Sequence, residues 1–210
     1  MAKIKICGIT NEADASLAMS LGADYLGFNF YKDSPRKVSV KMVDEIMGKL
    51  PAFVISVGVF VDEDPKELAK IVKRAGIKMI QLHGNESVDY CKALKESLGL
   101  PIIKAFRVAD YTVVENIKPY LDVIDYVLLD AYVEGVQGGA GATFNWDIAI
   151  KAKELGKPMF LAGGLTSENV EEALEKVAPF AVDTASGVER LPRRKDYDKM
   201  KAFIRSAKGL

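Results

Sequence analysis

The chain has 210 residues, 49% of them hydrophobic, with 29 basic and 29 acidic side chains and two cysteines. Balanced charge gives no long-range positive field for nucleic acid, and no apolar run approaches the ~20 residues of a membrane span. Cys7 and Cys91 lack metal-ligand spacing and are too few for a disulfide framework, which fits a reduced, cytoplasmic setting. The N-terminus enters a strand directly, without a signal-peptide layout.

Strand and helix patterns alternate eight times. The first strand spans about 3–7 and the first helix about 11–21, with Asn11 as cap and Gly22 just past its end. A second strand at about 24–29 leads through a polar loop to a helix at about 39–49. The third strand is the run 53–60, and its helix follows Asp64–Pro65, a cap with proline at the first helical position. Next come a strand at about 78–82 and a helix at about 86–98. In that helix Cys91 shares a stripe with Val88, Leu94 and Leu98, the pattern of a cysteine packed as a small hydrophobe. The fifth pair falls at about 101–106 and 110–118, and the sixth at about 124–129 and 145–155. The seventh falls at 158–161 and about 167–176. The last strand is 180–182 and the last helix about 196–207.

Short apolar strands are those of a parallel sheet covered by helices. Eight units of roughly 26 residues approach the compact limit of a (β/α)8 TIM barrel, so the expectation is an α/β chain forming one barrel domain over 1–210. An open doubly wound sheet usually has fewer strands, and its dinucleotide fingerprint is missing after the first strand.

In a closed barrel every strand ends at one mouth. Cys7 ends the first strand and Asp130 follows the sixth, so a thiol and a carboxyl face each other as a possible proton-transfer pair. Lys5 shares a face with Cys7 by strand alternation. It predicts a buried Lys5–Asp183 pair with the neighbouring eighth strand, joined by Lys104 of the fifth. Two readings of that pair stay open: it fixes interior packing, or Lys5 lowers the Cys7 pKa. Gly163–Gly164 and Ser186–Gly187 follow the last two strands, where barrels commonly bind phosphate. The glycine-rich stretch 135–144 after Asp130 suggests a pliable cover. Arg36 suits a carboxylate, and His83 is either an auxiliary polar group at the mouth or a structural histidine.

Several motifs together resemble one family. They are Lys5–Ile6–Cys7–Gly8–Ile9–Thr10, Gly27–Phe28 with Ser34–Pro35–Arg36, Gln81–Leu82–His83–Gly84, Leu129–Asp130, Gly138–Gly139 with Gly141 and Thr143–Phe144, Ala162–Gly163–Gly164–Leu165, and Val182–Asp183 with Ser186–Gly187–Val188–Glu189. In that order they resemble phosphoribosylanthranilate isomerase over essentially the full length. The resemblance implies an Amadori rearrangement in tryptophan biosynthesis, with Asp130 as acid, Cys7 as base, Arg36 on the anthranilate carboxylate and the glycine loops on phosphate. It implies a phosphorylated small-molecule substrate, no cofactor or metal, and a monomer or homodimer. Asn145 stands where the family commonly has Asp, and caps the sixth helix equally well. The sister isomerase of histidine biosynthesis typically has Asp on the first strand, so Cys7 argues against it. The other rivals are a Schiff-base aldolase using Lys104 and a barrel that binds without turnover.

Overall fold

A computed structural model describes residues 1–131 and 144–210. The glycine-rich stretch read as a cover falls on 132–143, outside the described residues, apart from Phe144.

Eight parallel strands close into a barrel in chain order: β1 (Lys3–Ile6), β2 (Tyr25–Asn29), β3 (Ile55–Phe60), β4 (Met79–Leu82), β5 (Ile102–Val108), β6 (Tyr126–Ala131), β7 (Met159–Leu161) and β8 (Ala181–Thr184). β1 pairs with β8 to shut the ring, with Lys5 opposite Asp183. Helices α1 (Glu12–Leu21), α2 (Val40–Met47), α3 (Pro65–Arg74), α4 (Val88–Leu98), α5 (Thr112–Ile117), α6 (Trp146–Lys153), α7 (Val170–Val177) and α8 (Tyr197–Lys208) follow the strands.

Several helix starts follow from local chemistry. Asn11 accepts the Asp14 N–H, Asp64 accepts those of Lys66 and Glu67 ahead of α3, and Asn145 accepts that of Asp147. Each satisfies a donor that the helix itself cannot.

Alternation sorts the strand residues into two cores. Ile4, Ile6, Leu26, Phe28, Leu129 and Val182 belong to the layer between strands and helices. Tyr25, Val57, Met79, Ile103, Leu128, Phe160 and Ala181 fill the barrel. Cys91 is fully buried in the outer layer, as its helical stripe predicts, and burial pushes its thiol up to about 11.

Boundaries depart from the sequence reading in several places: the fifth strand runs on to Val108, and the sixth is Tyr126–Ala131, so that Asp130 lies within it. The third strand begins at Ile55, because Val54 closes a turn onto Pro51 and leaves Phe53 outside and 76% exposed. The eighth strand continues to Thr184, because pairing with β1 extends the ladder past Val182. The seventh helix begins at Val170 rather than 167: the Asn169 side chain accepts the Thr166 N–H and donates to the Gly164 carbonyl, so those residues serve the loop. Finally, β9 (Glu189–Leu191) and β10 (Arg194–Lys195) form an antiparallel hairpin between β8 and α8 that the sequence reading lacked.

Candidate active site

The mouth holds a cavity of about 590 Å³ lined by Cys7, Arg36, His83, Asp130, Gly163, Gly164, Ser186 and Gly187. Every site residue expected from the sequence therefore borders one space. β6 presents Asp130 on the same face as Leu128, which packs inside the barrel. Cys7, directly after β1, follows Lys5 on the same alternation.

The base candidate is held from both sides of its backbone. Its N–H donates to the Thr184 carbonyl of β8 (2.8 Å), and its carbonyl accepts from Lys195 Nζ (2.6 Å). Its sulfur lies against Gly27 of β2, where an added Cβ would come within 2.7 Å of Sγ. Below it, Lys5 Nζ donates to both carboxylate oxygens of Asp183 at 3.0 Å. Lys5 is fully buried. Burial works against its charge, but Asp183 and Cys7 outweigh it and hold the ammonium's pKa above the ordinary value. The predicted pair is present, without its third member. Ile103 and Ala105 point into the barrel, so Lys104 between them points outward. There it pairs with Glu86 at 3.1 Å and donates to the Gly84 carbonyl at 2.8 Å. An aldolase lysine at that position would face the helices rather than the cavity.

Lys5 pulls the Cys7 thiol down, as one of the two readings expected, and Lys195 adds to the pull. Burial, reinforced by the Asp183 carboxylate, pushes harder, and the thiol lies above its ordinary value.

The acid candidate is buried, with His83 Nε2 3.2 Å from Asp130 Oδ2, though without the alignment of a hydrogen bond. His83 Nδ1 takes its contact from Gln81 Nε2 at 2.9 Å, so the ring's other nitrogen is directed at the carboxyl. Arg36 is not a free guanidinium. Its Nε and Nη2 donate to Glu189 at 2.9 and 2.7 Å, and Nη1 is the nitrogen that Glu189 leaves unengaged. Gly163 (φ +83°) and Gly164 (φ +62°) bend the loop after β7 through backbone angles that other residues rarely adopt.

Three contributors were missed from the sequence. Arg107 lies opposite Asp130 in the β5–β6 register and borders the cavity. Counting by twos from Ile103 and Ala105 finds it. Glu189 closes the Ser186–Gly187–Val188–Glu189 motif but carries no role there, and Lys195, on the same short hairpin, shows no signal at all.

Among the described residues, no group of three or more His, Cys, Asp or Glu is placed to hold a metal, and no helix is long and apolar enough to cross a membrane.

A closed (β/α)8 barrel with a thiol, a carboxyl and two small-residue loops around one mouth is an enzyme fold arranged for proton transfer on a small anionic substrate. Residues 4–206 match the family model of N-(5'-phosphoribosyl)anthranilate (PRA) isomerase. The N-(5'-phosphoribosyl)anthranilate isomerase of Geobacter metallireducens is 48% identical over all of both chains, and that of Trichlorobacter lovleyi is 46% identical over 99% of this chain and 98% of its own. The phosphoribosyl anthranilate isomerase of Thermotoga maritima superposes with a TM-score of 0.93 at 38% identity, covering both chains entirely. A phosphoribosyl anthranilate isomerase in complex with reduced 1-(o-carboxyphenylamino)-1-deoxyribulose 5-phosphate matches as completely, with a TM-score of 0.90. The chain belongs to the N-(5'-phosphoribosyl)anthranilate isomerase family. It is an aldose–ketose isomerase of tryptophan biosynthesis.

Proposed function

We propose that Asp130 and Cys7 carry the two proton transfers of this isomerisation. Asp130 gives its proton to the ribose ring oxygen of N-(5'-phosphoribosyl)anthranilate. The C1–O bond breaks and the nitrogen lone pair forms the C1=N bond of a Schiff base. Cys7, in the thiolate form that Lys5 and Lys195 favour against burial, removes the C2 proton, and those electrons form C1=C2 while the C=N pair returns to nitrogen. The enolamine tautomerises to 1-(2-carboxyphenylamino)-1-deoxyribulose 5-phosphate. Atoms balance without redox, because hydrogen leaves C2 and returns at C1.

The observation that carries this reading is the shared cavity, with Cys7 just past β1 and Asp130 on β6 in its wall. Arg36 takes the anthranilate carboxylate through the guanidinium face that Glu189 leaves open, and the loops at Gly163–Gly164 and Ser186–Gly187 take the phosphate. His83 is an auxiliary group that orients the acid's carboxyl. The phosphorylated substrate is the only partner this reading requires. Two free thiols support a cytoplasmic location. Supplying the aminoribosyl phosphate and following anthranilate fluorescence tests the assignment: the signal disappears with the enzyme present, and a signal no faster to fade than in buffer refutes it.

A further inference from the structure

We infer that Lys195 is a positioning residue, whose buried ammonium joins the base, the phosphate loop and the arginine into one unit. This rests on the acid–base reading of the mouth. The Lys195 side chain is 0% exposed, and its three N–H donors meet three acceptors. One is the carbonyl of Cys7 at 2.6 Å. The second is the carbonyl of Ala185 at 2.9 Å, immediately before Ser186. The third is Glu189 Oε1 at 3.1 Å, and Glu189 in turn grips Arg36.

A lysine is an unusual choice here if packing alone matters. Burying an ammonium is unfavourable unless every donor is satisfied. Here each acceptor belongs to a segment that touches the cavity or holds a residue that does. The charged groups facing the ammonium are Glu189 and Arg36, with the Cys7 thiol beside them; burial and the Arg36 charge outweigh the pull of Glu189 and hold the Lys195 pKa below its ordinary value, so the fastening depends on the Glu189 carboxylate. The hairpin carrying Lys195 is itself tied down: Arg193 donates to the Lys37 carbonyl at 2.8 Å and accepts from Thr10 Oγ1 at 2.8 Å. The hairpin thus spans the loops after β1 and β2 as a strap, and Lys195 is its inward fastening.

The test compares Lys195→Met and Glu189→Gln with the parent enzyme. Steady-state kcat and KM are measured separately, and iodoacetamide alkylation of Cys7 is followed against pH by mass spectrometry. Lys195→Met loses about 10²-fold in kcat/KM, divided between lower kcat and higher KM, as expected when a geometry error reaches several groups. Its Cys7 alkylation curve moves to higher pH, because Lys195 no longer pulls the thiol down. Glu189→Gln keeps the two carbonyl bonds but loosens Arg36, raising KM about tenfold with kcat within about twofold. Folded Lys195→Met with unchanged kcat and KM overturns the inference, whatever happens to its melting temperature. If Lys195→Met fails to fold, Glu189→Gln decides, and an unchanged KM overturns it. A parent enzyme that ignores the substrate refutes the reaction assignment instead, and the alkylation curves still test the tie at Cys7.

Discussion

The two ends of the barrel interior are built from the same strands but do opposite work. At the bottom, Tyr126 meets Phe160 and Phe180 with ring centroids 5.5 and 5.2 Å apart, and Tyr25 meets Phe160 at 5.5 Å. These rings plug the barrel, and burial lifts the Tyr25 phenol to about 12, well outside working pH. At the mouth the same faces carry ions. β6 goes from Tyr126 through Leu128 to Asp130, and β8 from Ala181 to Asp183. Polarity grows along both of these strands toward the C-terminal end. Stability and chemistry thus occupy separate layers of one interior, so that changes can be aimed at either.

The largest expected effect lies at the mouth. Cys7→Ser and Asp130→Asn each lower kcat by about 10²–10⁴-fold while substrate binding survives, as read from steady-state kinetics and calorimetric titration. Near-normal turnover in either variant removes that residue's role. At the bottom, Phe160→Ala costs about 3–5 kcal/mol in urea unfolding, with kcat/KM of the folded enzyme within a few-fold of the parent. Equal losses of stability and rate would mean that the layers are not separable.

Lys5 lies between the layers. Lys5→Met leaves Asp183 buried without its partner and destabilises the protein by about 3–5 kcal/mol. It also moves the Cys7 thiol further above its ordinary 9.0, because a downward pull is lost. A Cys7 alkylation curve that stays in place would leave Lys5 with a packing role alone.

The smallest effect concerns acid. Burial pushes Glu189 up, but Arg36 and Lys195 more than reverse this and hold its carboxyl below the ordinary 4.5. A depressed carboxylate stabilises the fold fully above that ordinary value, and the contribution fades as pH falls through the folded value. Glu189→Gln should therefore flatten the loss of stability below pH 4.5, seen as a shallower acid limb in denaturant midpoints. Parallel limbs for parent and variant would contradict the shift.

Much of this architecture was legible in the sequence, because period-two and helical patterns report burial directly. The closed ring and the Lys5–Asp183 pair followed from alternation and strand order, and β1–β8 pairing carries both. Lys104 failed by one step of the same alternation: Ile103 and Ala105 occupy the inward positions. The commitment of Arg36 to Glu189 was invisible, because two polar residues far apart in sequence carry no periodicity. The hairpin went unseen for a similar reason, since its strands are too short to show a pattern. The sign of the Cys7 shift needed coordinates, because it depends on how burial and the Asp183 charge compare with two lysine charges.

Gly27 contributes no side chain, yet it limits what the neighbouring strand can become. A methyl group there would stand 2.7 Å from the sulfur of Cys7 and force the proposed base out of line. Gly27→Ala should keep the barrel folded and lose turnover. A saturation library would then mark position 27 as intolerant, though it offers substrate nothing to touch. What is selected at that point is an empty volume.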